Sequence, residues 1–205
     1  MSVTKSILRA EKFRSLSAQY NLIYMDKDEF GVRMFLKYFD LHRGNGKITN
    51  LCMSKSEDLR TNFYVFDYYF VVQGNDYYKK YQQTIFFARD NDLHLPVFIL
   101  KPEHVGHKIA SYFGWEDIDF ENHPYFSDRY HLSGDDVEWI RESFSEPVLS
   151  FFSKTSGWHV EAANYFLLFY SLDSLIPENI LFDFFKMGKH VHQLFKESQK
   201  ELKAI

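Results

Sequence analysis

One run of this chain, Phe63-Tyr-Val-Phe-Asp-Tyr-Tyr-Phe-Val-Val72, constrains the fold more than any other. A strand presents alternate side chains to its two faces, and here both faces are apolar. Such a strand has no side left for water, so it belongs in the middle of a sheet covered above and below. The run carries no chemistry apart from Asp67 at its centre.

A chain of 205 residues with 22 Phe, 14 Tyr and 3 Trp has enough large rings to bury a sizeable core, which excludes intrinsic disorder. The length suits a single domain, 1–205. The formal net charge of −4 leaves no basic excess, so a nucleic-acid partner is not expected. The lone cysteine, Cys52, excludes an internal disulfide and a thiolate zinc cluster, and it fits a reducing compartment. The opening residues are polar and mixed, without the apolar stretch of a signal peptide. No segment approaches the ~18 apolar residues of a spanning helix. A soluble, cytoplasmic protein with no transmembrane segment is the expectation.

Periodicity places the elements. Phe13, Leu16 and Tyr20 predict a helix over 5–20, with a short strand at 22–25. Val32 to Met53 reads as a hairpin turning at Gly44-Asn45-Gly46, followed by a charged loop from Ser54 to Thr61. Strands are predicted at 63–72, 82–89 and 96–100, and their short linkers favour sequential antiparallel pairing. Pro102 and Gly114 are placed to open and close a helix. An irregular acidic segment follows, at about 115–131. Ser133 and Asp136 read as a capping box for a helix carrying Val137, Ile140 and Phe144. A short helix is expected at 146–153, then strands at 158–162 and 165–170 joined at Ala163-Asn164. The last helix, about 177–200, carries one apolar stripe: Ile180, Phe184, Met187, Val191 and Leu194. The sum is α+β: one domain, a mostly antiparallel sheet covered by helices, with a long amphipathic helix at the C-terminal end.

The motifs Phe66-Asp67-Tyr68, Gln83-Thr84, Leu95-Pro96, Pro102-Glu103, Asp117-Ile118-Asp119-Phe120, His123-Pro124 and Phe126-Ser127, with Tyr130 and Gly134, also stand in a recognisable order. On them the chain resembles a mainly bacterial family known as a domain of unknown function, over about residues 13 to 185. Many members of that family carry membrane-spanning segments ahead of this domain. No such segment is read in this chain, so a membrane role does not carry over. The resemblance supplies no activity, catalytic residue or cofactor.

Candidate sites have to be weighed one by one. A buried Asp67 costs several kcal/mol unless something pairs with it. With Tyr69 it is a candidate ligand-binding group; as a buried carboxylate it is more commonly structural, satisfied by Tyr hydroxyls, an Arg or backbone N–H groups. Tyr77, Tyr78, Lys79, Lys80 and Tyr81 interleave aromatic and basic residues. A stacking platform for single strands looks like this, but on an acidic chain a protein-recognition surface fits better. Asp117, Asp119 and Glu121 alternate as hard-cation ligands do, without the glycine or the bidentate Glu of an EF-hand. If Ile118 and Phe120 are pinned inward, those carboxylates face water. His104 and His107 share a helix face but lack the His-Glu-x-x-His form. Cys52 reads as a small buried side chain, and there is neither a Gly-x-Ser-x-Gly elbow nor a phosphate-binding glycine loop.

No catalytic residue and no cofactor is therefore assigned. Three functions stay open. The first is a non-catalytic interaction or regulatory domain with an unknown protein partner or a second copy of itself. The alternative is a small-molecule or lipid-binding domain with an aromatic-lined pocket. A metal-dependent hydrolase built on the acidic segment is the third.

Overall fold

The aromatic run becomes the long strand β3 (Thr61–Gln73) of an eight-stranded antiparallel sheet. The other strands are β1 (Leu22–Lys27), β2 (Lys47–Ser54), β4 (Tyr78–Asp90), β5 (Leu95–Pro102), β6 (Tyr130–Gly134), β7 (His159–Asn164) and β8 (Phe166–Tyr170). Their spatial order is β1-β2-β3-β4-β8-β7-β5-β6. The computed structural model describes residues 3–39, 46–54, 60–74, 78–103 and 115–203.

Both faces of β3 are covered, as its composition demands. On one face, Val65 packs with Phe13 and Leu16 of α1 (Val3–Tyr20) and with Phe184, Val191 and Phe195 of α5 (Leu181–Lys203). The same layer takes in α2 (Pro124–Ser127), α3 (Val137–Ser143) and α4 (Glu146–Lys154) through Phe126, Ile140 and Phe152. On the other face, Tyr64, Phe66 and Tyr68 pack with Val32, Leu36 and Phe39. Fully burying one such ring removes roughly 1.5–3 kcal/mol worth of apolar surface from water, so two ring-lined layers account for the cohesion of the sheet.

Several expectations need correction. Val32–Tyr38 is a 3-10 helix rather than the first strand of a hairpin. Val32, Leu36 and Phe39 recur at helical spacing and are all buried, and the Asp28 carboxylate accepts hydrogen bonds from the Val32 and Arg33 amides at 2.8 and 2.9 Å. The turn expected at Gly44-Asn45 lies outside the described residues.

Strand β5 does not pair with β4. The β7–β8 hairpin lies between them, so β4 pairs β8 while β5 pairs β6 and β7. Pro102 is the last residue of β5 rather than the first of a helix; the segment 104–114 lies outside the described residues. The cap of α3 is Asp136 alone, which accepts from the Trp139 amide at 3.0 Å, while Ser133 belongs to β6. Finally, α5 begins at Leu181, so Ile180 precedes the stripe and is largely exposed.

Candidate functional site

The densest polar constellation in the core surrounds Asp67. It faces the helical layer and is fully buried. Its Oδ1 accepts from Arg9 Nη2 at 2.7 Å and from the Thr84 hydroxyl at 2.8 Å. Its Oδ2 accepts from Arg9 Nε at 2.5 Å and from Asn50 Nδ2 at 3.0 Å. Arg9 is itself buried, and it also donates to the Ile176 carbonyl at 2.8 Å and to Glu178 at 3.3 Å. Burial alone would lower the pKa of that guanidinium; the hydrogen bond and charge of Asp67 outweigh it and raise it. Thr84 sits directly opposite Asp67 in the β3–β4 ladder and accepts from the Ile176 amide at 2.9 Å. Both Asp67 oxygens, the Arg9 guanidinium and the Thr84 hydroxyl are hydrogen-bonded within the protein, and the cluster ties α1, β3, β4 and the segment before α5 together.

One step along β3, a cleft of about 510 Å³ lies on the face of the sheet. Register places Lys47, Tyr69 and Gln82 side by side across β2, β3 and β4, with Val71 and Lys80 paired in the next same-facing row. All five line the cleft on the face that carries Asp67. Phe70 and Tyr81, whose rings stack at 4.9 Å within the opposite core, supply the strip of strand between those rows. Asp173 closes one side.

The charges of the cleft do not cancel. Asp173 is engaged by Lys79 at 3.0 Å and by the Gln82 amide at 3.3 Å. Neither Lys47 nor Lys80 has a carboxylate partner among the described residues; Lys80 lies only over the Tyr78 ring, at 5.9 Å. Burial pushes the pKa of the Tyr69 phenol up and the Asp67 charge adds to it, against a hydrogen bond with Thr49 that lowers it. The cleft face therefore combines the Tyr69 ring and the Val71 side chain with two ammonium groups that have no carboxylate partner among the described residues.

The structure thus brings together residues that the sequence assigns to different sites: Tyr69 and Lys80 line one cleft, while the Tyr81 ring lies on the opposite face of the sheet. It also divides the 77–81 run. Tyr78 is exposed, Tyr81 is buried, and Lys79 lies 4.2 Å above the Tyr81 ring. Tyr77 lies outside the described residues. Lys47 and Asp173 carry no local motif; only their placement by β2 and by the turn after β8 recruits them.

The acidic segment is arranged otherwise. Ile118 is buried and Phe120 half-buried against Phe126 and Phe144. Asp119 and Glu121 are exposed. Asp117 accepts from the Leu132 amide at 3.0 Å and pairs with His131 Nδ1 at 3.0 Å. Among the described residues, the grouping able to offer three ligand atoms is Glu103, Asp117 and His131, whose atoms lie within 4.8 Å of one another. His104 and His107 lie outside the described residues. Cys52 is buried and its pKa is pushed up to about 12, chiefly by burial, so the thiol is not a nucleophile.

No protein-family model matches the chain, and no curated protein does. Among solved structures, the chain is similar to the crystal structure of the mycobacterial trehalose monomycolate transport factor A, TtfA. The TM-score is 0.63 over 93% of each chain, at 9% sequence identity. At that identity the likeness is one of fold. No helix among the described residues is long and apolar enough to cross a membrane.

Proposed function

We propose that this protein is a non-catalytic binding domain whose ligand, a small apolar or amphipathic molecule, sits in the cleft over β2, β3 and β4. The observation that carries this reading is the cleft itself. Its volume of about 510 Å³ falls in the ~300–1,000 Å³ range of ligand pockets, and it sets a few polar groups around the Tyr69 ring and the Val71 side chain. The buried groups Asp67, Asp90 and Cys52 are otherwise engaged: Asp67 by Arg9, Asp90 by His192 and Lys196, and Cys52 by its burial. That a trehalose monomycolate transport factor shares the fold supports a lipid-class ligand.

Native mass spectrometry of the purified protein tests this. Extra mass that vanishes on denaturation, and is reduced in a Val71→Trp variant that fills the cleft, is the expected result. Equal retention in that variant would place any ligand elsewhere and sink the reading.

A second reading, a protein-recognition face, is favoured by Phe30, Met34 and Tyr38. These are 53%, 68% and 54% exposed and recur at intervals of four beside and along the 3-10 helix. The metal-dependent hydrolase has less behind it, because Asp119 and Glu121 stand outside the Glu103–Asp117–His131 grouping.

A further inference from the structure

We infer that the ligand of the cleft over β2, β3 and β4 is an anionic amphiphile, an acyl chain ending in a carboxylate or phosphate that Lys47 and Lys80 hold. The inference rests on the binding reading above and adds the charge of the ligand to it.

In a chain whose net charge is −4, a cleft would by default carry acidic excess or none. Among the described residues, the acidic groups beside the cleft have cations of their own. Asp67 has Arg9, and Asp173 has Lys79. Lys47 and Lys80 have no carboxylate partner among the described residues, and they reach the cleft from β2 and β4 on opposite sides of Tyr69 and Val71. Two ammonium groups above an apolar wall attract a charge attached to a hydrocarbon, since a charge-assisted bond from an ammonium is stronger than a neutral one and the tail gains by leaving water. Neutral apolar ligands would leave both lysines without a partner, and cationic ones would be repelled.

The test is calorimetric titration of the full chain with four probes below any micelle concentration: dodecanoate, dodecanol, dodecyltrimethylammonium and inorganic phosphate. Dodecanoate is expected to bind most tightly. Lys47→Gln with Lys80→Gln should weaken it by about tenfold or more, a factor equal to ~1.4 kcal/mol, and leave dodecanol unchanged. Raising the salt should weaken dodecanoate alone. Both lysines are exposed and outside the core, so an unchanged thermal midpoint checks that the variant is folded. Dodecanol binding as tightly as dodecanoate, with no effect of the double substitution, overturns the inference and leaves the binding reading standing. Phosphate alone matching dodecanoate overturns the role of the chain. If none of the four binds, the binding reading falls, and this inference falls with it.

Discussion

Arg9 reaches Asp67 across 58 positions of sequence, and no local pattern announces it. What sequence reasoning could see was the debt: a carboxylate in an aromatic strand must be satisfied by something. What it could not see was the creditor, because Arg9 lies on a helix face that looks like any other basic helix position. Removing that partner leaves a buried charge uncompensated, so Arg9→Met should cost ~3–5 kcal/mol, read as a lower urea midpoint at an unchanged slope. A loss below about 1 kcal/mol would mean that water reaches Asp67. His159 makes a second residue-level prediction. It is buried against the Tyr170 ring, neither ring nitrogen has a hydrogen-bond partner among the described residues, and burial, helped by Lys101, pushes its pKa down from 6.5 to about 3. Below the ordinary histidine pKa the unfolded chain takes up a proton that the folded one refuses. Stability should therefore fall by up to ~1.4 kcal/mol per pH unit from about pH 6.5 downward until the folded pKa is reached. His159→Phe should flatten that slope between about pH 6 and 4.5. Asp90, held below the usual carboxylate range despite its burial by His192 and Lys196, adds its own loss only at lower pH. An identical slope in wild type and variant would show that His159 is solvated.

Single elements were legible where their own residues carry the pattern. The amphipathic stripe of α5, the caged strand β3 and the β7–β8 hairpin with Asn164 at φ 53° are all local signals. The 3-10 helix was misread because short apolar runs fit strand and helix alike. The pairing of β5 was misread because it depends on the β7–β8 hairpin arriving much later in the chain and wedging against β4. The same non-local packing governs α5. Its Gly188 lies over Phe86: a Cβ there would sit 2.2 Å from the Phe86 ring. Alanine favours helix over glycine by ~1 kcal/mol, yet overpacking a filled core costs ~1–3 kcal/mol. Gly188→Ala should therefore destabilise, by roughly 1 kcal/mol net, in chemical denaturation. A stabilised variant would mean that the Phe86 ring moves aside freely. The clamp of His192 and Lys196 on Asp90, each at 2.8 Å, fixes the C-terminal half of the same helix to the end of β4.

At the scale of the molecule, one sheet carries two cores, and the cleft opens beside the polar cluster that joins helix to sheet. The fold class followed from composition and periodicity, because covering an all-apolar strand on both faces leaves few architectures. The cleft did not follow, since it is assembled from β2, β3, β4 and the turn after β8. Only its Tyr69 and Lys80-Tyr81 portions had drawn notice in the sequence, and as parts of different sites. The account's central claim is that this cleft is where the protein binds its ligand. Two-dimensional amide NMR during titration with dodecanoate tests it most directly. The account predicts shifts concentrated at Lys47, Tyr69, Val71, Lys80 and Gln82, with Phe30, Met34 and Tyr38 unmoved. Shifts confined to Phe30, Met34 and Tyr38, or none at the cleft under saturating ligand, would contradict it.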